Sequence, residues 1–281
     1  MRAIDAKLIK DVVKELCVRA NYELPTELIS KLESSIKKES SPRGKEILKY
    51  LLENAHIAKC EKFPLCQDTG IVNVFITCGN EVKIVGGDLR TCINQGIKEA
   101  YIEESFRKSV VFEPLFTRKN TNTNTPAIIY FTLTKGKKLK ITVLIKGAGS
   151  DNACSVKMFS PTSSFYEIEK FIVDVVEKNG VNACPPLIIG IGIGGSFTSV
   201  PLLAKRGLLR GLYKYNPEPR YAKLERRLEK ILNSLNIGPQ GLGGKTTVLK
   251  VNIEVSPCHI ASLPVSVELQ CHAFRTATKI L

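Results

Sequence analysis

From Ala3 to Ala20 the apolar positions recur at helical spacing. Ile4, Leu8, Val12 and Leu16 share one stripe, which predicts a helix. Pro25 stands at a first helical position ahead of a second periodic run to Lys38, and Ser41-Pro42 opens a third that reaches about residue 59. After Pro64 the period shortens. Residues 71–79 read as a strand, 87–109 as a helix, and 126–134 and 138–147 as strands around the turn Lys135–Lys138. A helix over 163–180, a strand over 186–193, helices over 200–215 and 219–235, and strands near 246–255 and 264–270 follow. There is no internal repeat and no low-complexity linker. The pattern predicts an α/β fold of mixed sheets flanked by helices, with a mainly helical section over residues 1–60, all in one domain spanning 1–281.

Composition adds one unusual feature. Apolar residues at 43% and charged residues at 24% are ordinary, but a net charge of +14 is not. It favours anionic ligands in general. Much of the charge lies in helical stretches, residues 30–40 and 221–232, which read as solvated faces. No nucleic-acid-binding signature accompanies it, so nucleic acid is not an expected partner. The N-terminus has no apolar core like that of a signal peptide, and no apolar run is long enough to span a bilayer, so the expected location is cytoplasmic. Nine cysteines in such a compartment predict reduced thiols, some in the core and some holding metal.

Two glycine-rich stretches raise the question of phosphate. Residues 236–249 contain Gly244-Lys245-Thr246, but the glycine that a Walker loop needs, with four residues between, is replaced by Pro239, which has no N–H, and a strand-like run follows instead of a helix. This is not a Walker loop. Gly190, Gly192 and Gly195 form a GxGxxG after a strand, yet the acidic residue of a dinucleotide site is missing about 20 positions on. Residues 64–70, PLCQDTG, combine a soft ligand with an amide and a carboxylate, or else form a plain turn. Cys184 precedes two prolines, which stiffen the backbone beside a thiolate. Residues 256–275 supply Cys258, His259, Cys271, His272 and Arg275, without the spacing of a standard zinc site.

Taken in order, PLCQDTG, NTNTNTPA, GAGSDNACSVKMFSPT, CPPLIIGIGIGGSF, IGPQGLGGKTT and CHIASLPV with QCHAFR resemble class I fumarases. The likeness is to the alpha subunit of their two-subunit forms, itself similar to the L-tartrate dehydratase alpha subunit, and runs from roughly residue 10 to residue 281. It implies a 4Fe-4S cluster held by Cys66, Cys184 and Cys271, with one iron open. It implies Asp68, Gln67 and His259 as catalytic residues, and Gln67, Arg107 and Gly149 as substrate contacts. Core or shell roles remain for Cys17, Cys60, Cys78, Cys92, Cys154 and Cys258. Lys245 either adds positive potential for a dianion or is solvated. The chain departs from the family at Asn122-Thr123, where Gly-Asp is usual, and near Thr198, where an acidic residue is common; both bear on substrate preference.

The resemblance implies reversible hydration of fumarate to (S)-malate, with L-tartrate dehydration as the alternative and a nucleotide- or phosphate-binding protein as a remote one. In the family the proton-exchanging base belongs to a second domain. With the chain ending at Leu281, that domain is expected on a separate beta subunit, in an α2β2 or similar oligomer.

Overall fold

A computed structural model describes residues 1–281. In chain order the elements begin with β1 (Arg2–Asp5), α1 (Ala6–Tyr22), α2 (Thr26–Lys38), α3 (Pro42–Glu61), β2 (Ile71–Gly79), β3 (Val82–Val85) and α4 (Leu89–Glu103). They continue with β4 (Ile128–Thr134), β5 (Leu139–Lys146), α5 (Ala148–Asn152), β6 (Ser155–Phe159), α6 (Phe165–Asn179), β7 (Leu187–Gly194) and α7 (Val200–Leu208). The last are α8 (Pro219–Ser234), β8 (Val248–Ser256), β9 (Leu263–Gln270) and β10 (Arg275–Ile280). Mixed sheets flanked by helices, after a largely helical N-terminal section, are what the hydrophobic pattern predicts. The chain divides into two compact units, the first from residues 1–25, 54–148 and 273–281 and the second from 26–53 and 149–272.

In unit 1 the sheet order is β10-β5-β2-β4, with β2 parallel to β4 and antiparallel to β5. The two strands around the Lys135–Lys138 turn therefore do not pair with each other. The turn instead crosses the end of β2, where Gly79 N–H donates to the Lys138 carbonyl at 2.9 Å and Glu81 N–H to the Gly136 carbonyl at 3.1 Å. A Cβ on Gly79 would lie 2.1 Å from that Gly136 oxygen, so only glycine allows the crossing.

The N-terminal stripe is also revised. Ile4 lies in β1, which pairs with β3, and Leu8 is exposed. Asp5 caps α1, its carboxylate accepting from Lys7 N–H at 2.8 Å. The face that packs is Ile9, Val12, Val13, Leu16, Cys17 and Ala20, against β5, β10 and α4, so Val12 and Leu16 of the predicted stripe are in the core. Gly96 lets α4 approach α1, since a Cβ there would stand 2.4 Å from the Lys10 carbonyl.

In unit 2 the order is β6-β9-β7-β8, with β7 parallel to β8 and antiparallel to β9. Its core joins Ile189, Ile191, Val251, Ile253, Val267 and Leu269 to Ile172, Val176, Leu228 and Leu232 of α6 and α8. Ser164 opens α6 with a reciprocal capping box to Glu167. The predicted 200–215 helix stops at Leu208, and short strands β1, β3, β6 and β10 carried too little periodicity to be foreseen. Glu225, in a stretch that reads as solvated, is completely buried; it pairs with Arg210 and accepts from Ile253 N–H at 2.7 Å. No helix is long and apolar enough to cross a membrane.

Candidate active site

In unit 1 the Pro64–Gly70 loop is pinned at both ends. Leu65 N–H donates to the Asn21 carbonyl at 2.8 Å, and Asn54 Nδ2 donates to the Leu65 carbonyl at 3.1 Å. At the other end Gly70 has φ +63°, and a Cβ would meet the Lys146 carbonyl at 2.5 Å. Between the pins Cys66 is half-buried and Gln67 exposed, with Cys66 Sγ 3.6 Å from Gln67 Oε1.

Asp68 accepts at both carboxylate oxygens, from Gly70 N–H at 2.9 Å and Ala148 N–H at 2.7 Å. Backbone donors on both sides fix the orientation of this carboxylate. Thr69 ties Arg107 to this loop, its hydroxyl donating to the Arg107 carbonyl, while Tyr101 Oη donates to the Thr69 carbonyl at 2.6 Å. Arg107 lies just beyond α4 in extended chain, not in the predicted helix, and its side chain is exposed. Cys66, Gln67, Asp68 and Arg107 thus share one neighbourhood.

Two residues that lie within the sequence motifs but carry no assigned role there complete it. Buried Asn124 donates to the Gly70 carbonyl at 3.0 Å and accepts from Ser109 N–H at 2.6 Å. Arg275, 1% exposed, donates to the Asp68 carbonyl. Nearby Asn122 has φ +59°, and asparagine is the residue other than glycine that best tolerates that region. That accounts for the change from the expected glycine.

In unit 2, Cys184 follows a short 3₁₀ turn, Val181–Ala183, and is exposed at φ +54°. Cys271 follows β9 and is half-buried. Because Ile188 pairs with Gln270, the start of β7 and the end of β9 meet at one end of the sheet. His272 N–H accordingly donates to the Cys184 carbonyl at 3.3 Å. Exposed Gly149 adjoins this end, since a Cβ on it would stand 2.8 Å from the Asn182 carbonyl.

His259 is elsewhere. It lies in the turn beyond Ser256, which pairs with Gly194 at the far end of β7. At strand rise that is on the order of 20 Å from the cysteine end. Its Nδ1 accepts from Ala261 N–H at 3.1 Å.

The core cysteines are chemically different. Burial pushes the Cys17 and Cys78 thiols up, which disfavours the thiolate. A further group, Asp151, Cys154 and Glu268, brings three potential metal ligands within 4.8 Å of one another. Lys205 Nζ already stands 3.9 Å from both carboxylates and supplies the positive partner.

The glycine stretches have structural explanations. In GxGxxG, a Cβ on Gly190 would lie 2.1 Å from the Ala204 carbonyl and one on Gly192 2.5 Å from that of Val200, so these glycines seat α7 on β7. The 236–249 loop does ring an anion, and that anion is internal. Glu39, 2% exposed, accepts from the N–H groups of Ser40, Ser41, Lys245 and Thr246 and from the Thr246 hydroxyl, at 2.7–3.0 Å. Burial alone would raise its pKa, but these donors outweigh it and hold the carboxyl at about 2. Lys245 itself is exposed and lines a cavity of about 650 Å³ with Tyr215, Arg226 and Lys230, a lining that includes no cysteine.

Comparison with known proteins gives consistent matches. The family model described as Fumarate hydratase (Fumerase) matches residues 10–279. A Methanocaldococcus jannaschii protein provisionally named L(+)-tartrate dehydratase subunit alpha is 40% identical over 282 residues, 96% of this chain and 96% of its own. The L(+)-tartrate dehydratase subunit alpha of Escherichia coli strain K12 is 30% identical over 275 residues, 97% of this chain and 90% of that one.

Proposed function

Because the chain belongs to the fumarate hydratase (Fumerase) family, we propose that it is the alpha subunit of an iron–sulfur hydro-lyase. Its proposed reaction is the reversible hydration of fumarate to (S)-malate, and its 281 residues act as one cluster-binding domain. The observation that carries the reading is the accessible pair Cys184 and Cys271 at one end of the unit 2 sheet, joined through His272. Cys66, half-buried on a pinned loop, also lies outside the hydrophobic cores, and the family resemblance selects it over Cys60, Cys92, Cys154 and Cys258, which lie outside them as well. Three thiolates suit a cluster that leaves one iron without a protein ligand. When bound, that iron supplies a Lewis acid for the substrate hydroxyl.

The chain's own residues have distinct tasks in this reading. Arg107, planar and two-pronged, grips a substrate carboxylate. Gly149 offers backbone N–H at a position where a side chain would obstruct approach. Gln67 orients the substrate beside Cys66. Asp68, oriented by two backbone donors, assists proton transfer, directly or by tuning a neighbouring group. His259 enters on the family resemblance alone. A beta subunit, suggested by the relatives' designation as subunit alpha, brings the base that exchanges the proton at carbon, in an α2β2 or similar assembly.

A second reading, loss of water from L-tartrate by the same groups, is favoured by the names of both relatives. The test begins with anaerobic reconstitution by iron and sulfide. About four irons per chain are expected, lost in Cys66→Ser, Cys184→Ser and Cys271→Ser and kept in Cys17→Ser. Iron uptake indifferent to the three serines would overturn the site. Addition of the beta subunit, with fumarate and L-tartrate compared as substrates, then decides the reaction.

A further inference from the structure

Between the two cysteine-bearing segments of unit 2 stands a side chain that the proposed chemistry leaves unused. Gln240 Nε2 donates to the Pro185 carbonyl at 2.9 Å and lies 3.0 Å from His272 Nδ1. Its main-chain N–H donates to the same Pro185 carbonyl at 2.8 Å. Pro185 follows Cys184 and His272 follows Cys271, so one amide touches the residue next to each thiol. His272 closes the ring, its main-chain N–H donating to the Cys184 carbonyl at 3.3 Å.

The loop that carries Gln240 is itself fixed. Gly243 N–H donates to the Ile237 carbonyl at 2.9 Å, and Gly238 N–H to Thr247 Oγ1 at 3.1 Å. Beyond these, buried Glu39 holds the amides of Lys245 and Thr246. Gln240 adopts φ +53°, a left-handed conformation that a residue with a Cβ enters at a cost. Glycine occupies positions 238, 241, 243 and 244 of the same loop. A glutamine where glycine would be easier points to a use for its side chain. An NH₂ group has two hydrogens and can serve both segments, whereas a carboxylate of the same size has none.

We propose that Gln240 is a positioning residue for the metal ligands Cys184 and Cys271, bracing their two segments at a fixed separation. The inference rests on the cluster reading above. Groups behind metal ligands typically change metal affinity by tenfold or more when removed.

The test compares the full chain with Gln240→Gly and Gln240→Glu, each reconstituted anaerobically. Gln240→Gly removes the amide while easing the backbone, so the fold should survive it; Gln240→Glu keeps the size and removes the donors. Three quantities are read: apoprotein melting temperature, rate of iron release to a ferrous chelator, and midpoint potential of the bound cluster. The expected result is an unchanged or higher apoprotein melting temperature for Gln240→Gly, full iron uptake, and iron release roughly tenfold faster with a displaced potential. Gln240→Glu should move release and potential in the same way. Wild-type release and potential in both variants would overturn the inference while leaving the cluster reading intact. Faster release that merely follows a lowered apoprotein melting temperature would overturn it as well. A wild-type chain that takes up no iron would overturn the cluster reading and this inference together.

Discussion

Glu39 shows how one buried carboxylate can organise a loop more than 200 residues away in sequence. Its pKa of about 2 lies below the ordinary 4.5 because hydrogen bonds to the charged form outweigh burial. A depressed carboxylate stabilises the fold fully above its unfolded value and loses that contribution as pH falls through the folded one. Glu39→Gln should therefore cost on the order of 3 kcal/mol at neutral pH. It should also flatten the fall in stability between about pH 4.5 and pH 2. Urea titrations of both proteins across that window check the prediction, and parallel pH profiles would contradict it. The charge pattern gave no sign of this role. Glu39 and Glu225 both sit in charged stretches that read as solvent-facing, since periodicity along a helix cannot reveal an amide donor from a distant segment. By contrast, Cys66, Cys184 and Cys271 stand out as candidates in the sequence because their motifs are local. The hydrogen bonds of Asn124 and Arg275 do not, because their partners come from segments remote in the chain.

Among the elements, the strand pairing depends on crowded glycines. Gly190 and Gly192 allow α7 to lie against β7, and Gly79 lets a turn pass over the end of β2. Gly190→Ala should destabilise by about 1–3 kcal/mol or more, because backbone on both sides must move. Gly87→Ala is the control, since its new methyl meets nothing closer than 3.4 Å and its φ is ordinary. Equal melting temperatures for the two variants would refute the packing argument. The same glycines explain why the element boundaries were partly readable. Alternation located β2, β5, β7, β8 and β9, all with a buried face, while the four short strands take their place from partners. The pairing of β2 between β4 and β5 likewise depends on burial of β2 on both faces, which a turn between its neighbours conceals.

For the molecule as a whole, the net charge of +14 predicts how it meets a dianion. With the beta subunit present, kcat/KM should fall several-fold from low to physiological ionic strength while kcat holds, as expected when steering and not chemistry is screened. A kcat/KM indifferent to salt would leave the excess charge to another purpose.

The two compact units are interleaved in sequence, and the last segment of unit 1, residues 273–281, comes after all of unit 2. It contributes β10, which pairs with β5 along six positions, and Leu281 exchanges both backbone hydrogen bonds with Leu139. Unit 2 takes no strand from this segment, whereas the unit 1 sheet, and with it the loop bearing Cys66, stays unfinished without it. A chain truncated after His272 should therefore resist protease across residues 149–272 and be cut within 54–148. The last segment then works as a latch that closes one unit and leaves the other indifferent.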